Sequence, residues 1–159
     1  MAASSFVYDY AKGLAWSLSS PSLCYWSSTT ASYYITLVSG PYVPNEANLY
    51  ASAFSGSEIG AASFTSGYSG TIRISLTSRV LNINTTSHQA EFQAASVTWS
   101  GIASANGTPA AFIILQQAGS DGTSPLVAYN SLGGFPVTLN GTNLTISFTS
   151  AGVFDLQDF

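Results

Sequence analysis

The stretch Ser124–Phe148, SPLVAYNSLGGFPVTLNGTNLTISF, has no charged side chain and alternates apolar runs with turn-forming residues. Its first run, LVAYN, is rich in the branched and aromatic residues that are typical of strands. The last run, NLTISF, alternates apolar and polar residues, which predicts a half-buried strand. Between them the pair Asn140-Gly141 predicts a hairpin turn that joins a short strand, VTL, to NLTISF. The segment therefore indicates a β-sheet protein.

Other parts of the chain repeat this pattern. The segments TIRISLT, RVLNINT and ASVTWSGI alternate as half-buried antiparallel strands do, and TIRISLT places Arg73 opposite the apolar face of Ile74 and Leu76. The unbroken apolar run TPAAFIILQQAG predicts a central strand that is covered on both faces. Tyr34 to Val38, HQAEFQ and GVFDL read as further strands. About nine strands without a βαβ pattern predict an all-β fold, an antiparallel, jelly-roll-like β-sandwich.

The N-terminal part follows a different period. In YDYAKGLAWSL the residues Tyr8, Ala11, Ala15 and Leu18 recur at helical spacing, although a glycine weakens this pattern. We therefore expect a short N-terminal helix or arm in residues 1–32, followed by a β-sandwich domain in residues 33–159.

A long segment at about 41–70 interrupts the predicted strands with prolines, glycines and isolated aromatic residues. A structureless loop of this length is uncommon inside a compact domain, so it either packs on the core or forms a contact surface. Tyr and Phe are enriched in the buried centre of interfaces, which favours the contact surface, but core packing stays open as the alternative.

Charge is scarce in this chain. Only 6% of its 159 residues are charged, against about 25% in ordinary soluble proteins, so we infer that much of its surface lies against partners. Three Lys and Arg residues against seven Asp and Glu argue against nucleic-acid binding. No signal peptide is visible, and no apolar run has the length needed to cross a bilayer, so no membrane partner is expected. Neutral faces and strand edges that need covering predict a homo-oligomer.

Reactive chemistry has little support in the sequence. His88 is the single histidine, no G-x-S-x-G motif accompanies it, and its nearest acid, Glu91, lies in a strand-like segment. The acids follow no metal-ligand spacing, so we predict no enzyme, no catalytic residue, no metal and no cofactor. Tryptophans could stack on sugars, as in glycan-binding sandwiches. Trp99 shares an apolar face with Val97 and is predicted to lie in the core. For Trp16 and Trp26, packing on a partner and packing within the chain both stay open.

Nine residues in the N-terminal part and the 41–70 segment are candidates for binding a partner. They are Tyr8, Asp9, Lys12, Trp16, Trp26, Tyr42, Tyr50, Phe54 and Tyr68.

Five stretches follow one another along the chain: YDYAKGLAWSL, YYITLVSGPYVP, AEFQAASVTWSGI, FIILQQAGSDGTSPLVAYNSLGGFPVT and NGTNLTISFTSAGVFDL. Their order resembles that of similar stretches in small virion proteins of tailed bacteriophages. The likeness spans nearly the whole chain, although the low charge and the expanded aromatic segment depart from the pattern.

This resemblance implies a capsid decoration or cement protein without enzymatic activity. Such a protein would be made in the cytoplasm of the bacterial host, would bind the major capsid protein on the outer capsid surface of the virion, and would stabilise the shell. A tail or head-fibre component and a glycan-binding β-sandwich module are the alternatives.

Overall fold

A computed structural model describes residues 4–9, 11–12, 31–59, 73–86, 89–102, 107–148 and 154–157. Within these residues the chain forms ten strands. They are β1 (Ser5–Val7), β2 (Tyr33–Ser39), β3 (Ile74–Ser75), β4 (Val80–Asn84), β5 (Gln89–Gln93), β6 (Val97–Trp99), β7 (Pro109–Gln116), β8 (Leu126–Asn130), β9 (Leu144–Ile146) and β10 (Phe154–Gln157).

These strands form three antiparallel sheets. The main sheet has five strands in the order β1-β8-β7-β2-β3, a second has the order β10-β5-β4, and β6 pairs with β9. The longest ladder joins β2 to β7, with Ile35 opposite Ile114 and Leu37 opposite Phe112. The predicted all-β, antiparallel fold is therefore confirmed, and the sheets pack in a sandwich-like arrangement.

Strand β7 lies at the centre of the main sheet and is covered on both faces, as its apolar run predicts. Phe112 and Ile114 belong to one cluster of buried residues, whereas Ile113 and Leu115 belong to a second cluster. Successive side chains of a strand point to opposite faces, so this single strand contributes to two cores.

The first core lies between the main sheet and the two smaller sheets. Trp99 is 2% exposed there, and Val97 and Phe92 pack in the same cluster. Burying side chains of this size stabilises a fold by roughly 1.5–3 kcal/mol each, so this core holds the sheets together. The predicted core position of Trp99 is confirmed.

The second core lies on the other face of the main sheet, and no sheet covers it within the described part of the chain. Its outer layer consists of Tyr8 from the N-terminal part and Tyr42, Ala51 and Phe54 from the loop after β2. Two short 3-10 turns, Ala51–Ala53 and Ser55–Ser57, shape this loop. Core packing, the alternative interpretation of the aromatic loop, thus describes Tyr42 and Phe54.

The N-terminal part combines a strand with a helical turn. β1 pairs with β8, with Phe6 opposite Tyr129, so this part contributes an edge strand to the main sheet that the sequence pattern did not predict. Asp9 and Lys12 are helical, and the Lys12 amide donates to the Tyr8 carbonyl at 3.1 Å. The remainder of the predicted helix lies outside the described residues, and the domain boundary at residue 33 stays a prediction.

Two local predictions differ from the structure. The turn at Asn140-Gly141 exists, with Gly141 at a φ of 84°, but residues 137–139 are not a strand. β9 pairs instead with β6, because the apolar faces of both strands cover the first core. The second difference is Arg73, which is only 6% exposed and not on an open face.

Candidate interaction surface

Of the nine residues predicted to bind a partner, the six that the structure describes lie in or beside the second core. Tyr8 and Tyr42 are both buried in the second core, and their hydroxyl oxygens lie 3.0 Å apart in a hydrogen bond. Burial raises the pKa of Tyr8 well above its ordinary value, and the hydrogen bond to Tyr42 raises it further. The two tyrosines therefore join the N-terminal part to the loop after β2 by a neutral, buried contact.

A set of aromatic contacts extends this junction across the sheet. The Phe6 ring stacks on Tyr129 with centroids 5.2 Å apart, and it meets Tyr8 edge-on at 5.1 Å. Tyr42 packs edge-on against Phe54 at 6.2 Å. Tyr42 also packs against Tyr129 of β8, with ring centroids 6.1 Å apart. Such ring pairs add roughly 0.5–1.5 kcal/mol each beyond the area they bury, so this last pair helps to hold the loop on the main sheet.

Charged residues surround this junction. Lys12 Nζ lies 3.3 Å from Asp9 Oδ1 and 3.1 Å from Glu46 Oε2. Burial lowers the pKa of Lys12, but hydrogen bonds to Glu46 and Asp9 outweigh this effect and leave that pKa raised. The Asp9 amide also donates to the Glu46 carbonyl at 3.1 Å, so the N-terminal turn and the loop are joined through backbone as well as side chains.

The apolar side chains that face solvent in this loop are ones that the sequence analysis did not select. Val43 is 73% exposed and Leu49 is 45% exposed. We call the loop segment from Tyr42 to Tyr50 the apolar rim. Because Tyr42 points into the second core, its neighbour Val43 points outward. A search for apolar residues adjacent to the buried aromatic ones would have found it.

Backbone hydrogen bonds fix both ends of the apolar rim. The Tyr42 amide donates to the Ser39 carbonyl at 3.1 Å, and the Leu126 amide of β8 donates to the Leu49 carbonyl at 3.0 Å. Tyr50 is half-buried and forms a β-bridge with Pro125. The exposed apolar side chains are therefore presented by an anchored loop, which lowers the entropy lost when a partner binds.

An ionic network lies beside this surface. Arg73 binds Glu58 through both carboxylate oxygens, with Nε 2.9 Å from Oε1 and Nη2 3.0 Å from Oε2. Its Nη1 lies 2.6 Å from Asp121 Oδ1 and 3.2 Å from Gln117 Oε1. The guanidinium also lies 5.7 Å from the centre of the Phe54 ring. These contacts connect three loops to the second core.

Burial separates this network from solvent. The side chains of Arg73 and Glu58 are 7% and 6% exposed, whereas that of Asp121 is 37% exposed. Burial lowers the pKa of Arg73, but hydrogen bonds to Asp121 and Glu58 outweigh it and raise the pKa above the ordinary value. The geometry is that of a structural ion pair, because the carboxylates face a guanidinium instead of an open cavity.

A shallow apolar groove of about 300 Å³ lies on the opposite side of the main sheet. Phe135 and Phe148 line it, and the side chains of Asn130 and Ser147 add polar groups. The groove contains no charged lining residue.

Three predicted partner-binding residues, Trp16, Trp26 and Tyr68, lie outside the described residues, as does His88. Among the residues that are described, no group of three or more His, Cys, Asp or Glu could hold a metal ion. No helix in the described ranges is long and apolar enough to span a bilayer.

The fold and this surface define the class: an antiparallel all-β protein with an anchored apolar rim. Comparison with models of known protein families, with curated proteins and with solved structures finds no match.

Proposed function

We propose that the chain is a structural virion protein of a tailed bacteriophage, which binds the outer surface of the capsid and stabilises the shell. The observation that supports this most is the apolar rim, where Val43 and Leu49 face solvent on an anchored loop. Low charge over the whole chain and the resemblance of its motifs to phage virion proteins support it as well. The partner would be the major capsid protein.

The proposed mechanism is adhesion without chemistry. Apolar area buried against a capsid subunit stabilises the contact by roughly 25 cal/mol per Å². Since the aromatic junction and the backbone bonds already order the loop, little of this gain is lost to ordering it on binding. Many copies, each with a modest contact, would together hold neighbouring capsid subunits in place.

Charge complementarity favours a neutral contact over an ionic one. The Arg73 guanidinium is already bound to Glu58 and Asp121 within the chain, and Lys12 is bound to Asp9 and Glu46. Both positive groups are therefore engaged in internal pairs next to the apolar rim. A partner would gain mainly by covering Val43 and Leu49.

A glycan-binding module is the second candidate, and the groove favours it. Phe135 and Phe148 offer rings, and Asn130 and Ser147 offer polar groups, as neutral sugars require. Trp99, by contrast, is 2% exposed and offers no ring face to a sugar. Titration with a glycan library separates this candidate from the first, because sugar affinity that is lost in Phe148→Ala and kept in Val43→Asp would favour the module.

The decisive experiment measures binding of the purified chain to capsid shells that lack it. We expect the double variant Val43→Asp, Leu49→Asp to bind at least about tenfold more weakly, since covering each side chain contributes about 1 kcal/mol or more and buried carboxylates oppose binding. The control is Leu132→Asp, whose side chain is similarly exposed at 46% but lines the groove. Equal binding by the double variant and the wild type would contradict the proposal.

The copy number in purified particles separates the decoration protein from the tail or head-fibre alternative. A number comparable with that of the major capsid protein supports decoration, and a handful of copies per particle supports the alternative.

A further inference from the structure

The outer edge of β4 pairs with no other strand of the part of the chain that the structure describes. β4 is the last strand of the sheet β10-β5-β4, and within the described ranges only β5 pairs with it. An edge strand presents a row of backbone N–H and C=O groups, and those groups form a template for another strand.

β4 lacks the features that usually block such an edge. Its sequence, VLNIN, has no charged residue and no proline. Its register with β5 is unbroken, from Val80 opposite Gln93 to Asn84 opposite Gln89, so no bulge twists the edge away. The strand is therefore straight and neutral over its whole length.

The charged residue that precedes β4 is turned back onto its own chain. Arg79 donates from Nη1 to the Leu76 carbonyl at 3.0 Å and from Nη2 to the Ala31 carbonyl at 2.8 Å. Its guanidinium also lies 5.0 Å from the centre of the Tyr33 ring. In this position it does not protect the edge of the strand.

Two apolar side chains of β4 are exposed. Val80 is 51% exposed and Leu81 is 41% exposed. Leu81 lies opposite Phe92, a buried member of the first core, so Leu81 continues the core-facing side of the sheet to its open edge. A further strand beside β4 would extend this apolar side.

We propose that β4 pairs with β4 of a second copy of this chain, antiparallel and centred on Asn82, to give a two-fold symmetric dimer with a continuous six-stranded sheet. This register uses all five residues of the strand. It places Asn82 opposite its own counterpart, Leu81 opposite Ile83, and Val80 opposite Asn84, so the two apolar residues of the core-facing side pair with each other and no charged residues meet.

The nearest carboxylates are compatible with this pairing. Glu91 lies opposite Asn82 on β5, and it accepts a hydrogen bond from the Asn82 amide at 2.9 Å. In the dimer the two Glu91 residues would be about three strand spacings apart, roughly 14 Å, which exceeds the Debye length of about 8 Å at physiological salt. Their repulsion is therefore weak.

Cysteine cross-linking tests the register directly. In a Cys24→Ser background, Asn82→Cys places two thiols on the two-fold axis, where paired Cα atoms about 4.5–5.5 Å apart suit a disulfide. The matched control is Val80→Cys, because its two copies would be offset by four residues, or roughly 13 Å. We expect oxidation to give disulfide-linked dimers for Asn82→Cys but not for Val80→Cys.

Sedimentation of the isolated chain, without capsid shells, tests the association itself. We expect a concentration-dependent dimer that Leu81→Lys weakens by at least about tenfold, while Leu132→Lys, at a similarly exposed position, leaves it unchanged. A monomeric wild type, equal cross-linking at positions 80 and 82, or a Leu81→Lys dimer as strong as that of the wild type would each overturn the proposal. Because no shell is present, these results do not depend on the proposed function.

Discussion

Replacing Arg73 by methionine should destabilise the fold more than any change at the exposed ion pairs. The variant removes both hydrogen bonds from Arg73 to Glu58, whose side chain is only 6% exposed. Within the described residues, the hydroxyl of Thr36 is then the remaining side-chain donor to that carboxylate. Breaking one partner out of a buried ion pair costs roughly 3–5 kcal/mol. Asp121, at 37% exposure, can recover hydration, so most of this cost falls on Glu58.

Urea unfolding followed by far-ultraviolet circular dichroism measures this free energy, and thermal melts check it. For a chain of this length each kcal/mol lowers Tm by about 2–4 °C, so a decrease of about 6–20 °C is expected. Lys12→Met is the matched control, because it removes the same charge and creates the same side chain. Its partners Asp9 and Glu46 are 60% and 50% exposed, and such surface pairs contribute about 0–1 kcal/mol.

A double variant identifies the cause of the loss. Adding Glu58→Gln to Arg73→Met removes the uncompensated charge, so part of the lost stability should return although a second native residue has been changed. If Arg73→Met unfolds at the same urea concentration as Lys12→Met, or if the double variant is less stable than Arg73→Met by the full cost of Glu58→Gln alone, the ion pair does not have the structural role described here.

Two further predictions concern the two cores. Burial raises the pKa of Tyr8 above its unfolded value of about 10. The neutral, hydrogen-bonded hydroxyl of Tyr8 therefore stabilises the fold fully below pH 10, and this stabilisation is lost as the pH rises further. Tyr8→Phe should therefore be less stable than the wild type by about 0.5–1.5 kcal/mol at pH 7, and the gap should narrow above pH 10 in urea titrations; a constant gap would contradict this. Ile114, which is fully buried in the first core, should lose about 2–5 kcal/mol on change to Ala and about 0.5–1.5 kcal/mol on change to Val, and equal losses in thermal melts would refute close packing there.

Strand positions could be predicted because their signal is local. The runs that form β7 and β8 are recognisable by themselves, because they are unbroken or alternating apolar residues bounded by turn formers. Strand partners could not be predicted in the same way. Asn140-Gly141 does turn the chain, but the Gly141 amide donates to the Ile102 carbonyl, and β9 pairs with β6. That choice depends on which faces cover the first core, a property of the whole fold.

The loop as a contact surface stays a prediction, because several of the residues chosen for it are buried within the chain. Aromatic residues of the loop indicated a region of contact, and six of the nine predicted residues do lie in or beside the second core. Residue type alone did not tell which side chains face inward. Tyr42 and Phe54 bury their rings because no sheet covers the second face of the main sheet in the described residues, and this leaves Val43 outside.

Arg73 shows a different limit of sequence reasoning. Alternation placed it opposite an apolar face, where a charged residue is normally solvated. The structure instead surrounds it with Glu58 and the Phe54 ring from the loop after β2 and with Asp121 from the loop after β7. In a chain with three Lys and Arg residues, each cation is a candidate for internal pairing, but the partners become visible only after the loops fold together.

The two proposed contact surfaces lie on opposite sides of the main sheet, and this makes them compatible. The apolar rim covers the second core, whereas β4 belongs to the sheet whose Phe92 packs into the first core. A dimer formed through β4 would therefore leave both copies of Val43 and Leu49 exposed. Two linked contacts bind far more tightly than one because the second becomes intramolecular, so dimerisation would strengthen attachment to a repeating shell without adding any contact to it.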